Sequence, residues 1–320
     1  MARAANRLPG RPADLLDLVS PGPAGRVPSP IFRDAGQGAA AGVRVRAPRG
    51  RRIVFGWYGG KFSHLGWLLP LLPACHHYCE PFAGSAAVLL NRAPAAVETY
   101  NDLDGEVVNF FRVLRDQAEA LTRAIALTPF AREEYHDALS PAEGLPAVER
   151  ARRFFVRARQ TRTGLAQTAS LGRWANCRET SRGGMSGVVS RWLGSVEGLP
   201  EVAARLLRVQ IENRPAIDLI RLNDGPETLF YCDPPYVHAS RGDARAYGHE
   251  MTDAQHEALA AALRAARGKV AISGYRCALM DRLYGDWNRY DAPEKQTHSV
   301  KDLRRESLWA NYDLPQRSAA

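Results

Sequence analysis

The chain has 320 residues, of which 45% are hydrophobic, so it can bury a sizeable core in one large or two modest domains. Five scattered cysteines are too few for a disulfide framework, which favours a reducing, intracellular compartment. No apolar run approaches the length that spans a bilayer and no signal peptide is apparent, so we expect a cytoplasmic protein without a membrane partner.

The formal net charge of +9 is concentrated in two segments. Residues 1–52 hold ten arginines and three aspartates, and residues 150–214 hold thirteen arginines and four glutamates. An arginine-rich, lysine-poor composition can reflect a GC-rich genome, but this does not explain the clustering. Segregated positive charge is typical of a surface that follows nucleic-acid phosphates.

In chain order, residues 1–50 come first and are rich in proline, glycine, alanine and arginine. We predict a disordered basic extension, which either contacts DNA or is dispensable. Order begins near Ile53 and leads into a glycine-bearing loop that contains Trp57 and ends at Lys61. Its paired glycines let the backbone approach a ligand and the lysine adds a point charge, although such sequences are also common in turns.

A predicted strand at residues 77–80 runs into a turn of small residues and then an apolar helix. This is the architecture of a nucleotide-type site, in which the helix N-terminus offers free N–H groups. The next predicted strand, 97–100, precedes Asp102, at the distance where an acidic residue commonly binds ribose hydroxyls. Asp102 or Asp104 could also cap the following helix. The cysteines and histidines at 75–79 do not predict a metal site, because alternate strand residues point to opposite faces.

Apolar residues recur at helical spacing through residues 105–160. From residue 159 to 193 this pattern gives way to arginine, threonine, serine, glycine and glutamine with two tryptophans. Such segments form loops that combine phosphate-binding arginines with stacking aromatic side chains, or they are simply solvated. The candidate DNA-contacting residues are Arg162, Arg173, Arg178 and Arg182.

An apolar run at 228–232 predicts a buried strand, and Asp233-Pro234-Pro235-Tyr236 follows it. Two prolines cannot continue a central strand, so the chain leaves the sheet at its carboxyl edge, where open α/β sheets place reactive groups. A carboxylate, a prolyl carbonyl and a tyrosine ring suit a planar ligand with an amino group, such as adenine. The alternative interpretation is a proline-stiffened turn with an exposed aspartate.

The remaining sequence predicts a helix from Thr252 to about Ala266 and a strand at 269–273. Two further strands, 287–290 and 306–312, are expected to form a hairpin at the sheet edge. Alternation of strands and helices, broken by one helical, arginine-rich insert, predicts an α/β fold with one doubly wound sheet and an inserted lobe.

With these elements in place, the chain resembles the Dam-like, D12 class DNA adenine-N6 methyltransferases over roughly residues 53–312. The motifs that carry the resemblance are Trp57 with Gly59-Gly60-Lys61, Glu80-Pro81-Phe82-Ala83-Gly84-Ser85, Asn101-Asp102, and Asp233-Pro234-Pro235-Tyr236. Their order, with an insert before the last motif, makes the likeness specific. It implies a Rossmann-like S-adenosylmethionine-dependent methyltransferase sheet with an inserted helical target-recognition lobe.

By this resemblance, residues 51–115 and 205–320 form the catalytic domain and residues 116–204 form the DNA-recognition lobe. The expected activity is that of a site-specific, adenine-specific DNA methyltransferase with S-adenosylmethionine as cofactor and no metal. The residues expected to contact the cofactor are Trp57, Lys61, Glu80, Phe82, Gly84, Asp102 and Asp233. The expected catalytic residues are Asp233, Pro234, Pro235 and Tyr236.

In the expected mechanism, the target base is flipped out of the duplex. The Asp233 carboxylate and the Pro234 carbonyl accept hydrogen bonds from its amine, and Tyr236 stacks on its ring. The implied partner is double-stranded DNA, and we expect a cytoplasmic, nucleoid-associated protein of prokaryotic or phage origin. A restriction endonuclease is a candidate second partner, and we expect a monomer or weak dimer.

Two departures from the family pattern stand out. Ala86 replaces a glycine that many relatives carry, and its small size predicts little cost. The segment from Arg159 to Leu193 matches no lobe of assigned DNA specificity.

The first alternatives are a cytosine-N4 or an RNA adenine methyltransferase, although cytosine-N4 enzymes more often have serine at position 233. A glutamine methyltransferase would have asparagine there. A catalytically silent DNA-binding module is the alternative of another class.

Overall fold

The computed structural model describes residues 50–180, 184–238, 250–293 and 305–314. Residues 1–49 of the predicted extension and Arg182 lie outside these ranges. The strands are β1 (His77–Glu80), β2 (Val97–Asn101), β3 (Gln210–Glu212), β4 (Thr228–Cys232), β5 (Lys269–Tyr275), β6 (Asn288–Asp291) and β7 (Glu306–Ala310). They form one seven-stranded sheet in the order β3-β2-β1-β4-β5-β7-β6.

The first five strands along the sheet, from β3 to β5, pair in parallel. β7 pairs antiparallel with both of its neighbours, β5 and β6. Every residue of β4 is buried, as expected for a parallel strand that is covered on both faces. The predicted Rossmann-like α/β sheet is confirmed. The last two strands do pair with each other, but only β6 lies at the sheet edge, because β7 lies between β5 and β6. In keeping with these positions, all five residues of β7 are buried and β6 is polar.

Helices cover the sheet and fill the insert between β2 and β3. They are α1 (Leu65–Leu68), α2 (Ala87–Asn91), α3 (Gly105–Asp116), α4 (Ala118–Ala126), α5 (Arg132–Asp137), α6 (Ala147–Gln160), α7 (Gly187–Glu197), α8 (Leu199–Leu206), α9 (Ala216–Asn223), α10 (Asp253–Ala265) and α11 (Ala278–Tyr284). The predicted cap of α10 is a capping box between Thr252 and Gln255. No helix of the described ranges is both long and apolar enough to cross a membrane.

Aromatic packing joins the insert to the start of the ordered chain. The Phe55 ring lies 5.3 Å from that of Phe110 on α3 and 5.2 Å from that of Phe154 on α6. Phe155 stacks on Phe110 with ring centroids 5.6 Å apart. The insert therefore shares a hydrophobic core with the segment that precedes the Trp57 loop.

A buried ion pair fastens the end of the insert to the sheet. Arg205 on α8 donates to both carboxylate oxygens of Glu98 on β2, at 2.5 and 2.7 Å, and to the Leu89 carbonyl at 2.9 Å. Glu98 is fully buried. This bidentate pair fixes α8 against β2.

Candidate active site

The candidate site lies where the strand order reverses, between β1 and β4. A cavity of about 300 Å³ is lined there by residues that follow β1, β2 and β4. The predicted site residues that line it are Trp57, Lys61, Glu80, Phe82, Gly84, Asp102, Asp233 and Pro235. Pro234 and Tyr236 are not part of its wall. Ligands of open α/β sheets bind at such a switch point.

The turn after β1 is closed by Trp57 and Asp102. Gly84 has φ +49, and a Cβ built there would lie 2.4 Å from Trp57 Nε1, so this position requires glycine. Asp102 accepts the Gly84 N–H through Oδ2 at 2.8 Å and the Asp104 N–H through Oδ1 at 2.9 Å. Asp104 caps α3 through the Glu106 N–H. Asp102 thus binds the turn after β1, and Asp104 caps α3.

Ala86 corrects an expectation drawn from side-chain size. Its φ is +57, and among the residues that the structure describes it is the only one other than glycine with a positive φ. A left-handed conformation costs a residue with a Cβ about 1–2 kcal/mol, which a glycine avoids. The expectation of little cost was therefore wrong, because the cost arises in the backbone and not from crowding.

A buried cluster of four polar side chains supports the end of β4. Lys61 Nζ lies 2.7 Å from Asp233 Oδ1 and 3.4 Å from Glu306 Oε1, and donates to the Gly59 carbonyl at 2.7 Å. The Tyr236 hydroxyl bonds to Glu306 and lies 3.3 Å from Asp233 Oδ1. Lys61 and Tyr236 both approach Asp233 at Oδ1.

Burial raises the pKa values of two acidic side chains of the site, Asp233 and Glu80. Desolvation raises the pKa of Asp233 to about 6 even though Lys61 opposes the change, and the negative charge of Glu306 adds to it. The pKa of Lys61 is also raised, because its two carboxylate partners outweigh its burial. Burial likewise raises the pKa of Glu80 to about 8, against a hydrogen bond of 2.5 Å from the Tyr78 hydroxyl.

Tyr236 is placed differently from the residues around it. It is 5% exposed, and its ring meets Tyr275 edge-on with centroids 4.8 Å apart. Lys61 Nζ lies 5.0 Å from the ring centroid. Stacking of Tyr236 on a flipped base stays a prediction, and it requires the ring to become accessible from the cavity.

The arginine-rich segment divides into two groups. Four of the five arginines of α6 pair with carboxylates that precede residue 150, as in Arg150 with Glu106 at 2.5 Å and Arg152 with Glu149 at 2.7 Å, and Arg159 donates to the Arg191 carbonyl. The charge of this segment is therefore partly neutralised inside the fold. Three predicted DNA-contacting residues are exposed and pair with no carboxylate of a described residue: Arg162, Arg173 and Arg178.

Backbone contacts connect that segment to the cavity. The Arg162 N–H donates to the Arg173 carbonyl at 2.7 Å, and Leu165 bridges Gly56 next to the Trp57 loop. Gln167 from the same segment lines the cavity. Sequence reasoning missed Gln167 and Glu306. A polar residue in a polar loop and an acid at the start of an apolar strand carry no pattern that distinguishes them.

A doubly wound sheet with an Asp-Pro-Pro-Tyr loop at its switch point defines a Rossmann-like methyltransferase. The model of the D12 class N6 adenine-specific DNA methyltransferase family matches residues 57–304, and the chain belongs to this family. The family, the fold class and the class of function predicted from the sequence are confirmed.

Two relatives extend this comparison. Over 277 residues the chain is 26% identical to the type II methyltransferase M1.LlaDCHI of Lactococcus lactis subsp. cremoris, a match that covers 78% of this chain and 90% of that protein. Over 70 residues it is 36% identical to the DNA N-6-adenine-methyltransferase of Escherichia phage P1. That match covers 22% of this chain and only 9% of the phage protein.

Proposed function

We propose that this chain methylates the N6 amine of adenine in double-stranded DNA. The observation that carries the proposal is the position of Asp233, which lines the cavity directly after β4 with Lys61 and Tyr236 beside its Oδ1. Oδ2 is thus the acceptor available for an exocyclic amine. A carboxylate in this position suits adenine better than a serine would.

The family implies S-adenosylmethionine as methyl donor, and the cavity fits it. Because Gly84 has no Cβ, the Trp57 indole packs directly on the turn after β1, and both residues line the cavity. We propose that Trp57, Phe82 and Gly84 surround the cofactor and that Asp102 accepts hydrogen bonds from its ribose hydroxyls. When bound, S-adenosylmethionine supplies an electrophilic methyl group. Glu80, whose raised pKa keeps it protonated near neutral pH, can donate a hydrogen bond to it.

The protein must make a poor nucleophile reactive, because the lone pair of the adenine amine is conjugated with the ring. Flipping the base out of the duplex costs a few kcal/mol. Asp233 and the Pro234 carbonyl accept hydrogen bonds from the amine, which favours a pyramidal nitrogen and stabilises the positive charge that develops there. The nitrogen then loses one proton, which Asp233 can accept. Pro235 keeps the loop rigid, and Tyr236 holds the base.

We further propose that residues 51–115 and 205–320 act as the catalytic domain and that residues 116–204 recognise DNA. Arg162, Arg173 and Arg178 are exposed on that insert and would contact phosphates. Arg182 is proposed with them from the sequence alone. One relative is named a type II methyltransferase, so a restriction endonuclease is the partner to look for in the cell.

The decisive experiment combines methyl transfer with nucleoside analysis. Purified protein is incubated with duplex DNA and labelled S-adenosylmethionine, and the digested nucleosides are identified by mass spectrometry. We expect N6-methyladenine in DNA with the wild type and none with Asp233→Ala, which should still bind the cofactor measurably. The exposed variant Asp286→Asn serves as the matched control and should retain activity.

Other products would contradict the proposal in different ways. N4-methylcytosine, or methylation of RNA alone, would assign another substrate to the same site. DNA binding without S-adenosylmethionine binding would indicate a silent DNA-binding module. Single-molecule methylome sequencing of a host that expresses the chain would then report the modified base and its sequence context together.

A further inference from the structure

A carboxylate outside the recognised motifs, Glu306, lies beside the catalytic loop. It begins β7, opposite Tyr275 of β5, and its side chain is 6% exposed. Its Oε1 lies 3.4 Å from Lys61 Nζ and accepts a short hydrogen bond from the Tyr236 hydroxyl. Glu306 is not part of the cavity wall, so its effect on a ligand must pass through these two neighbours.

The ammonium of Lys61 is held by three acceptor groups of the protein. A lysine has three N–H donors, and three acceptors surround Nζ: the Gly59 carbonyl at 2.7 Å, Asp233 Oδ1 at 2.7 Å and Glu306 Oε1 at 3.4 Å. Lys61 therefore acts on the reaction by holding Asp233, and Glu306 is one of the three acceptors that fix its direction.

The Tyr236 hydroxyl is fixed in the same way. It has one proton to donate, and the shorter of its two contacts is to Glu306. Its oxygen remains 3.3 Å from Asp233 Oδ1. Glu306 thus sets the orientation of the tyrosine that follows the catalytic aspartate by three residues.

Resting on the function proposed above, we propose that Glu306 is a positioning residue for adenine methylation. It fixes Lys61 and Tyr236, and through them it holds Asp233 so that Oδ2 is presented to the target amine. Such support of a reactive group by a second layer of side chains is what keeps the productive geometry within a fraction of an ångström.

Glu306 also tunes the acidity of Asp233. Its negative charge competes for Lys61 and raises the pKa of Asp233, which makes that carboxylate a better proton acceptor. Without this charge, the ammonium of Lys61 would act on Asp233 alone and lower its pKa. The titratable groups that act on Asp233 or respond to its charge are Lys61, Glu306, Tyr236, Tyr231, Cys232 and Glu80.

The test is Glu306→Gln, which keeps the size and an acceptor oxygen but removes the charge. We expect kcat to fall roughly tenfold or more, with the Kd for S-adenosylmethionine changed less than about threefold. The acid limb of the kcat–pH profile should move to lower pH by roughly half a unit or more. The control Asp286→Asn removes an exposed carboxylate and should change neither quantity.

Tyr236→Phe provides a second measurement, because it removes the hydroxyl that links Glu306 to Asp233 without changing a charge. If Glu306→Gln does not fold, this variant decides: a kcat reduced roughly tenfold supports the proposal, and an unchanged kcat overturns it. An unchanged kcat and acid limb in folded Glu306→Gln would also overturn it, as would equal losses of kcat and cofactor affinity. Absence of N6-methyladenine with the wild type would instead refute the proposed function itself.

Discussion

Asp233 must be ionised to stabilise the positive charge that develops on the amine and to accept its proton, and its pKa is raised to about 6. We therefore expect kcat to be constant above neutral pH and to fall as pH drops through about 6, approaching tenfold per pH unit below it. Single-turnover methylation from pH 5 to 8 with saturating DNA and cofactor measures this. A rate that stays flat down to pH 4.5 would show that Asp233 is not the titrating group.

Protonation of Glu80 makes the folding stability of the protein depend on pH. Its pKa is raised from 4.5 to about 8 in the folded protein, so the folded state binds the proton more tightly than the unfolded state. This contribution is complete below about 4.5 and is lost as pH rises towards 8. The wild type should therefore lose stability relative to Glu80→Gln by roughly 1 kcal/mol per pH unit across that window.

Urea unfolding of Glu80→Gln and the wild type at pH 5, 6.5 and 8 would check this difference. Glu257→Gln is the matched control, since Glu257 is an exposed partner of Arg282. Its stability should run parallel to that of the wild type. Parallel behaviour of Glu80→Gln would mean that Glu80 is already ionised in the folded protein.

Among single residues of the site, the sequence predicts those whose role is indicated by the residues adjacent to them in the chain. Asp233 is marked by the strand before it and the prolines after it, and Gly84 by the small residues around it. Glu306 has no such mark, because its partners Lys61 and Tyr236 are distant in sequence and meet it only through the order of the strands. Its contribution could be found only from the folded structure.

The turn after β1 depends on a glycine for two separable reasons. Gly84→Ala adds the strain of a positive φ and pushes against the Trp57 indole, whereas Gly144→Ala adds a positive-φ strain with no atom within 4 Å of the new Cβ. We expect Gly144→Ala to lose about 1–2 kcal/mol of stability and Gly84→Ala to lose more, and only Gly84→Ala to lose S-adenosylmethionine binding, by roughly tenfold or more. Calorimetric titration and urea unfolding measure the two effects. Equal cofactor affinity in both variants would contradict the clash with Trp57.

The helix that closes the insert depends on the buried pair between Arg205 and Glu98. Arg205→Met removes the bidentate partner of the buried Glu98 and leaves it with longer contacts to Arg208 at 3.7 Å and Arg92 at 4.0 Å, so we expect a loss of about 3 kcal/mol in the free energy of unfolding. The double variant with Glu98→Leu should recover part of this loss. Arg221→Met, in an exposed pair with an N–O distance of 3.9 Å, should change stability by less than about 0.5 kcal/mol. A small effect of Arg205→Met would mean that water reaches Glu98.

The elements themselves were predictable where burial was uniform. β4 was assigned to residues 228–232 as observed, because a strand covered on both faces is continuously apolar and two prolines end it. The position of β7 between β5 and β6 was not predicted, since an apolar run identifies a strand but not its neighbours. The internal pairing of the α6 arginines was also missed, because their carboxylate partners lie outside the basic segment.

For the whole molecule, the charge that remains exposed should govern DNA affinity. Arg162→Ala is expected to weaken binding to all DNA sequences alike and to reduce the slope of log K against log salt concentration by about 1. Arg282→Ala, which removes an exposed arginine from α11, is the control and should leave the slope unchanged. Fluorescence anisotropy from 50 to 300 mM salt measures both. A slope unaffected by Arg162→Ala would place the phosphate contacts elsewhere.

The position of β7 has a consequence for biogenesis. β7 follows β6 in the chain yet lies between β5 and β6, so a growing polypeptide on the ribosome cannot add β6 to the sheet before residues 306–310 have emerged. Until then, the edge of β5 is open and apolar. An unpaired edge of this kind is prone to aggregation, and chaperones shield such edges on nascent chains. The same late strand brings Glu306, so a translation product that stopped short of it would lack both its sheet closure and a buried group next to Asp233.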